Sequence, residues 1–298
     1  MNQAQVQYKA IDIKSLPRQK RFLNGWRAFR KNVPAMVGLV LVLLVIGFAV
    51  ITYFTVPMER AIAIDAHNRF APPSADHPFG TDSLGRDMFA RIANGARVSL
   101  SMGFLPVIVS FIFGMWLGAL AAYYGGILDD IIMRVCDVFA CIPGILMALM
   151  LLMMLGPGIT NMMIAITITS IPGRTRFVRA VVLQIVGQDY IEASRACGTR
   201  TTGLIFKHVL PNAYGPLLLA FTASIAGMIM MGAGMSFLGL GLQPPYPEWG
   251  SLLFEARPFM RDHAHLFYFP GLFLFVSMLG FNMLGDGLRD VMDPRLKK

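Results

Sequence analysis

Five long stretches of this 298-residue chain contain no Asp, Glu, Lys or Arg, and they limit its fold more than any other feature. They are 32–58, 98–128, 138–173, 208–247 and 263–285. A helix that crosses a bilayer needs about 20 consecutive apolar residues, so each stretch can hold at least one. The chain is 55% hydrophobic and only 14% charged, whereas soluble domains have about 25% charged residues. The sequence therefore predicts an all-α membrane protein.

The stretch 138–173 is too long for one crossing. Its 36 residues would form a helix of about 54 Å, while the apolar bilayer core is about 30 Å thick. Gly156-Pro157-Gly158 lies in its middle and should break it, so we predict one helix ending near Leu155 and another beginning near Ile159. Kinks or breaks are expected at Pro143 and Pro172. The whole chain then has six transmembrane helices, the others at about 34–56, 100–124, 213–238 and 266–284.

The distribution of basic residues predicts the orientation. With six crossings, both ends lie on one side of the membrane, and the segments on that side (1–33, 125–137, 172–213 and 285–298) carry 19 Lys and Arg. The opposite segments (57–99, 156–160 and 239–267) carry 7. Because Lys and Arg concentrate in cytoplasmic loops, both termini and the 172–213 segment are predicted to be cytoplasmic.

These boundaries divide the chain into five parts. We predict a cytoplasmic segment at 1–33, an uncleaved first transmembrane helix at 34–56, an extracytoplasmic loop at 57–96, a five-helix membrane core at 97–286 and a cytoplasmic tail at 287–298. In the second helix, Gly114, Gly118 and Ala122 are spaced four apart, which lets another helix approach closely.

No catalytic, metal or nucleotide site is predicted. The five histidines lie in loops without a nucleophile nearby in sequence, and no Asp, Glu or His falls inside a predicted span. His263 and His265 are two potential metal ligands without a third, and the three cysteines have no metal-binding spacing. The chain has no P-loop sequence. The net charge of +9 comes from residues beside the spans, so nucleic acid is not an expected partner.

The polar segment 189–212 is predicted to be a helix, a break at Gly198 and a second helix that stops at Pro211. Gly198 suits the position after a helix end, and Tyr190, Ala193 and Cys197 share one face of the first helix. The apolar residues after the break are expected to insert into a partner protein; they are Leu204, Ile205, Phe206 and Val209. The alternative is an amphipathic connector lying on the membrane.

Several motifs resemble one protein family. Glu192-Ala193-Ser194, Gly198 and Leu210-Pro211 resemble the EAA loop of bacterial ABC-importer permeases, although Ser194 and His208 replace the usual Ala and Ile. HPFGTDSLGRDMFARIANGARVSL (77–100) and FNMLGDGLRDVMDPRLK (281–297) resemble the outer-loop and C-terminal signatures of the dipeptide, oligopeptide and nickel group. QPPYPEWG and MRVCDVFACIPG match that group as well. The chain thus resembles its C-type permease subunit over nearly its whole length.

The resemblance implies a type I ABC importer transmembrane fold in the inner or plasma membrane. It implies a B-type permease as partner in a heterodimer, two cytoplasmic ABC ATPases that bind ATP and Mg, and an extracytoplasmic solute-binding protein. The chain itself would be non-catalytic and bind no cofactor. The residues implied in ATPase coupling are Glu192, Ala193, Ser194, Gly198, Leu204, Phe206, Leu210 and Pro211.

Small peptides are the substrate that the resemblance implies, with nickel or another small solute as alternatives; no substrate-binding residue is assigned. A channel or scaffold without ATP coupling is the alternative from another class. The loop 57–99 is expected to pack on the outer face against the partner permease or the solute-binding protein, with Asp82 and Arg86 at the contact. The alternative is an ordered cap without a partner.

Overall fold

The computed structural model describes residues 26, 27 and 29–292. Within them the chain folds into helices, with a long connection at 63–87 that contains one isolated bridge between Thr81 and Asp87. The helices are α1 (Val33–Thr55), α2 (Met58–Ile62), α3 (Met88–Tyr124), α4 (Gly126–Ala140), α5 (Gly144–Leu155), α6 (Ile159–Val186), α7 (Asp189–Ala196), α8 (Thr201–Leu204), α9 (Leu210–Phe237), α10 (Trp249–Ala256) and α11 (His265–Met292). Most of the predicted cytoplasmic segment 1–33 and the end of the predicted tail 287–298 lie outside the described residues.

Four helical segments are long and apolar enough to cross a membrane: α1, α3, α11 and the run Lys207–Phe237 that contains α9. The pair α4–α5 meets the same criteria jointly but is bent by 86° at residues 141–143. This confirms the break predicted at Pro143. Helix α6 is long enough to cross a bilayer core, but it is less apolar than these helices and is not counted among them. The hairpin break is where the sequence predicted it, between Leu155 and Ile159.

Two predicted boundaries were wrong. Residues 88–99, assigned to the outer loop, form the start of α3, whose first turn is capped by Asp87 through bonds from Phe89 N (2.9 Å) and Ala90 N (3.2 Å). The segment 125–137, assigned to a connection between two spans, is helical from Gly126 onward, as part of the 15-residue helix α4. Helix α6 continues through Pro172 as far as Val186, which agrees with the expectation that a span with a short charge-free stretch extends past the charges at its outer end. In each case helix continues past charged residues.

Side-chain pairing explains why charged residues lie within these helices. Asp137 of α4 accepts a bond from Arg176 of α6 (2.8 Å), and Asp129 is paired with Arg179. The pairs hold α4 against α6 at the end of the molecule where α3 and α4 meet.

Helices α3 and α6 pack closely through small residues. A Cβ at Gly114 would lie 2.6 Å from Arg174 Cβ, and one at Gly118 would lie 2.5 Å from the carbonyl oxygen of Thr175. Ala122 is buried in the same packing. This confirms the predicted small-residue face, since these distances leave no room for a larger side chain.

The beginning of α1 and the end of α11 lie together. Asn32, which caps α1, donates from Nδ2 to Asp290 Oδ2 (3.0 Å). Glycines bring the two helices close: a Cβ at Gly38 would lie 2.5 Å from the backbone nitrogen of Leu284. The larger apolar core is formed by α1, α3, α5, α6, α9, α10 and α11, and a smaller one lies beneath the segment 189–209.

Candidate functional site

The first arm of the 189–212 segment is α7, and it ends in a tight turn at Gly198. Gly198 N donates to Arg195 O (3.0 Å) and Thr199 N donates to Ser194 O (3.2 Å), which is the pattern of a Schellman motif. Gly198 has φ +78°, which non-glycine residues adopt at a cost of about 1–2 kcal/mol. No atom lies within 4 Å of the position a Cβ would take. The backbone conformation, and not a close contact within this chain, therefore requires glycine here.

The second arm of the segment is the helical part after Gly198, which begins at Thr201. It does not end at Pro211 as predicted. Helix α8 continues through a π-helical turn, Ile205–Val209, into α9, and Pro211 lies in the first turn of α9. The second arm and the fifth predicted span are thus one helical run, so a movement of the arm reaches α9 directly.

The apolar side of the segment packs within this chain. Ile191, Leu204 and Val209 are fully buried, in a cluster with residues of α3 and α6: Ala119, Ala122, Val178, Val182 and Ile185. The prediction that Leu204 and Val209 insert into a partner was therefore wrong, because their side chains already fill this cluster. The side chain of Phe206 lies outside the described part of the chain.

The polar side of the segment is exposed. Glu192, Ala193, Gly198 and Pro211 are exposed, and Ser194 and Leu210 are half-buried. Ser194 Oγ lies 3.0 Å from Thr199 Oγ1, so this side chain supports the turn. The hydrogen bonds and ion pairs among the described residues do not include the Glu192 carboxylate. The arrangement is a polar surface mounted on a buried apolar base.

Two apolar grooves adjoin the second arm. One, of about 310 Å³, lies between α3 and the second arm, and its lining includes Met115, Trp116, Thr201 and Ile205. The other, of about 490 Å³, lies between α3 and α9 and is bounded by Phe111, Tyr214 and Phe221 among others. The residues that line both grooves are mostly apolar and none is charged, so the grooves offer no charged group to orient a peptide.

At the opposite end of the molecule, four charged side chains form a network in which Asp82, Arg86 and Arg91 are buried and Glu255 is half-buried. Arg91 of α3 donates to Asp82 (2.6 Å) and to both carboxylate oxygens of Glu255 in α10 (2.8 and 3.0 Å). Arg86 donates to the same two acids, at 2.6 Å each. The network joins the loop between α2 and α3 to α10.

This network corrects the expectation for Asp82 and Arg86. Both residues are buried, at 5% and 4% exposure, so they are not available for contact with another protein. The DSLGRD turn is held by the chain itself, as in the alternative of an ordered cap. The outer-loop signature at 77–100 contains Arg91. Its partner Glu255 lies 164 residues further along the chain, and no sequence pattern predicted that the two would pair.

The cap is also fixed by Gly85, which has φ +76°. A Cβ at this position would overlap the carbonyl oxygen of Asp65. The Asp65 carboxylate accepts bonds from Asn68 Nδ2 (2.8 Å) and His67 N (3.1 Å). These bonds, the Asn68 bond foremost, lower the pKa of Asp65 below its ordinary value.

The QPPYPEWG segment leads into a buried helix start. Glu248, fully buried, caps α10 by accepting from Gly250 N and Ser251 N (2.9 Å each), and it also accepts from Ser99 Oγ (3.0 Å). Trp249 Nε1 donates to Ile92 O (3.0 Å). The motif therefore anchors α10 to α3, a structural role that sequence reasoning did not identify.

The structure brings no metal site together in the described residues, where no group of three or more His, Cys, Asp or Glu is suitably placed. His263 instead stacks on Phe70, with ring centroids 4.2 Å apart.

Comparison with known proteins gives consistent matches. The model of the family described as binding-protein-dependent transport system inner membrane component matches residues 110–298, and that of the N-terminal TM domain of oligopeptide transport permease C matches residues 22–73. The glutathione transport system permease protein GsiD of Pectobacterium atrosepticum is 42% identical over 94% of both chains. GsiD of Shigella sonnei is 43% identical over 91% of this chain and 90% of its own length.

A similar fold occurs in a solved structure, an inward-facing conformation of the MetNI methionine ABC transporter. The TM-score is 0.58, with 21% sequence identity over 69% of this chain and 98% of the other.

Proposed function

The chain belongs to the family of binding-protein-dependent transport system inner membrane components, and we propose that it forms half of the translocation path of an ATP-driven importer for small peptides. The relatives named above are glutathione transport permeases, and glutathione is a small peptide. Nickel or another small solute stays the alternative cargo.

The observation that carries the coupling role is the construction of the 189–212 segment. Its base is buried against α3 and α6, while the Glu192 side is exposed and unused within the described chain. A rigid lever with a free polar surface can transmit a push from a partner without deforming. We therefore propose that Glu192, Ala193, Ser194, Gly198, Leu210 and Pro211 form the contact with a cytoplasmic ATPase, with Leu204 supporting it from beneath.

The proposed topology has six membrane crossings with both termini in the cytoplasm. Helix α6 and the bent pair α4–α5 would supply the crossings beyond the four apolar helices. The Asn32–Asp290 bond supports placing both ends on one side, and the excess of Lys and Arg supports the cytoplasmic side.

The proposed partners are a second permease, two ATPases that bind ATP and Mg, and an extracytoplasmic solute-binding protein. Closure of the ATPases on ATP would move the two loops and rock the helices between inward and outward access. The chain itself would perform no catalysis and hold no cofactor.

Two variants test this role. We expect Glu192→Lys and Gly198→Trp to abolish peptide uptake while the two permease subunits still insert and pair, because Glu192 is exposed and the strain of about 1–2 kcal/mol at Gly198 is confined to the turn. Gln184→Lys, an exposed substitution on α6 outside the loop, serves as the control and should retain uptake. Normal uptake by both loop variants would refute the coupling role.

Copurification separates the importer from a channel or scaffold. A permease extracted in mild detergent should bring down nucleotide-binding subunits, and Glu192→Lys should reduce their yield. A channel would purify without them, whatever the variant.

A further inference from the structure

Helix α3 contacts the 189–209 segment only through packing, because it is not next to this segment along the chain. The chain joins this segment to α6 through residues 187–188 and to α9 through the π-turn. Any force that passes from the segment to α3 must therefore pass through side chains.

Tyr123, in the last turn of α3, contacts both arms of the segment. Its hydroxyl lies 3.4 Å from Thr201 Oγ1 in the second arm. The guanidinium of Arg195, in the first arm, lies 5.5 Å from the centroid of the tyrosine ring, within the range of about 6 Å in which a cation is attracted to an aromatic face. One side chain thus links α3 to the two arms at once.

Tyr123 lies in closely packed surroundings. It packs against the buried cluster of Ile191, Leu204 and Val209. About 1.4 and 2.5 turns from Tyr123 along α3, Gly118 and Gly114 hold the helix against α6 at contact distance. Since packed interiors shift as discrete blocks and do not deform continuously, the inner half of α3 should follow the segment when it moves.

The outer end of the same helix carries Arg91, which is bound to Asp82 and Glu255. The 37 residues of α3 extend about 55 Å. A single helix therefore spans the distance from the cytoplasmic segment to the buried network that holds the outer cap and α10.

We propose that Tyr123 is a positioning residue that couples the 189–209 segment to α3, so that the segment and the inner half of α3 move as one body during transport. The inference rests on the proposed function, because it takes the segment to be the ATPase contact. It adds the route by which that movement enters a helix that has no backbone link to the segment.

The test uses the complete transporter in proteoliposomes and measures peptide taken up per ATP hydrolysed. Tyr123→Leu removes the ring and the hydroxyl, and we expect uptake per ATP to fall about fivefold. Tyr123→Phe should stay close to the native ratio, because it keeps the ring that Arg195 contacts and loses only a long hydrogen bond. Tyr214→Leu, at an exposed tyrosine in the first turns of α9, is the matched control and should be unaffected.

The ratio of uptake to hydrolysis distinguishes coupling from stability, because loss of folded complex lowers both rates together. An unchanged ratio in Tyr123→Leu would overturn the inference. Failure of the proposed function looks different: Glu192→Lys would then transport normally, whatever Tyr123 does.

A cross-link provides a second measurement that decides the matter if Tyr123→Leu does not assemble. Cysteines replace Tyr123 and Thr201 in a chain whose Cys136, Cys141 and Cys197 have been changed to alanine. Joining the pair with a short bismaleimide should raise uptake per ATP above that of the unlinked protein, since it restores the lost attachment. A link that blocks uptake, or leaves the ratio unimproved, would show that α3 and the segment separate during the cycle and would overturn the inference.

Discussion

Replacement of Arg91 by methionine should lower the stability of this protein, because it removes a buried cation from the outer network. Its side chain is 1% exposed and makes three short bonds to two acids. In Arg91→Met, Asp82 and Glu255 would share the one remaining cation, Arg86. Deleting one partner of a buried ion pair costs about 3–5 kcal/mol, because a carboxylate is left buried without its counter-charge.

The assay is thermal unfolding of the purified protein in detergent. At about 2–4 °C per kcal/mol for a chain of this size, the midpoint should fall by roughly 6–20 °C. Arg69→Gln is the matched control: Arg69 belongs to the same cap but is exposed and makes one bond, to Ser83 O (2.6 Å). Its effect should stay within about 0.5 kcal/mol.

A second variant separates lost charge balance from lost packing. Replacing Arg91 together with Glu255 by methionine removes one cation and one anion, and leaves Asp82 paired with Arg86. Because apolar groups can replace a buried pair at little cost, the double variant should recover part of the loss. An Arg91→Met midpoint within about 2 °C of the native midpoint would refute the reasoning. So would a double variant whose loss of stability equals the sum of the losses in Arg91→Met and Glu255→Met measured separately.

Three further substitutions follow from the packing. Gly118→Val should lower the stability by about 1–3 kcal/mol, because a Cβ there would lie 2.5 Å from Thr175 O; the unfolding midpoint should fall. Gly47→Ala is the control and should leave the midpoint unchanged, because Gly47 has open space around it. Gly85→Ala should release the cap, since its φ is +76° and its Cβ would overlap the Asp65 backbone; limited proteolysis should then cut within residues 57–87, and an unchanged pattern would contradict this. Glu248→Ala should lower the free energy of unfolding by about 1–3 kcal/mol, because two backbone N–H groups and Ser99 lose their acceptor. Glu248→Gln keeps one acceptor oxygen, so its unfolding midpoint should lie between those of Glu248→Ala and the native protein.

The role assigned to the 189–212 segment agrees with its construction but differs from the first interpretation. The sequence predicts that the apolar residues Leu204, Ile205, Phe206 and Val209 dock into a partner, since an apolar cluster beside a membrane needs a place to be buried. The structure buries Leu204 and Val209 within the chain, so the surface left for a partner is the polar one around Glu192. A helix–turn–helix wholly covered by the chain's own helices could not contact another subunit, whereas Glu192 and Gly198 are exposed.

What the sequence determined by itself was local. Charge-free stretches gave the apolar helices, Gly156-Pro157-Gly158 gave the end of α5 and the start of α6, and Gly198 gave the turn between the arms. Each of these signals acts through the backbone of its immediate neighbours, so each can be read without a fold.

Only the tertiary structure decided how far α3 extends and which side of the segment is free. Arg91 was assigned to the outer loop, yet it lies within a helix, where Asp82 and Glu255, the latter 164 residues away, compensate its charge. Burial of Leu204 depends likewise on Ala119 and Val178, which come from two other helices. The free energy of a charge or an apolar group depends on what surrounds it in space, and that environment is set by distant parts of the chain.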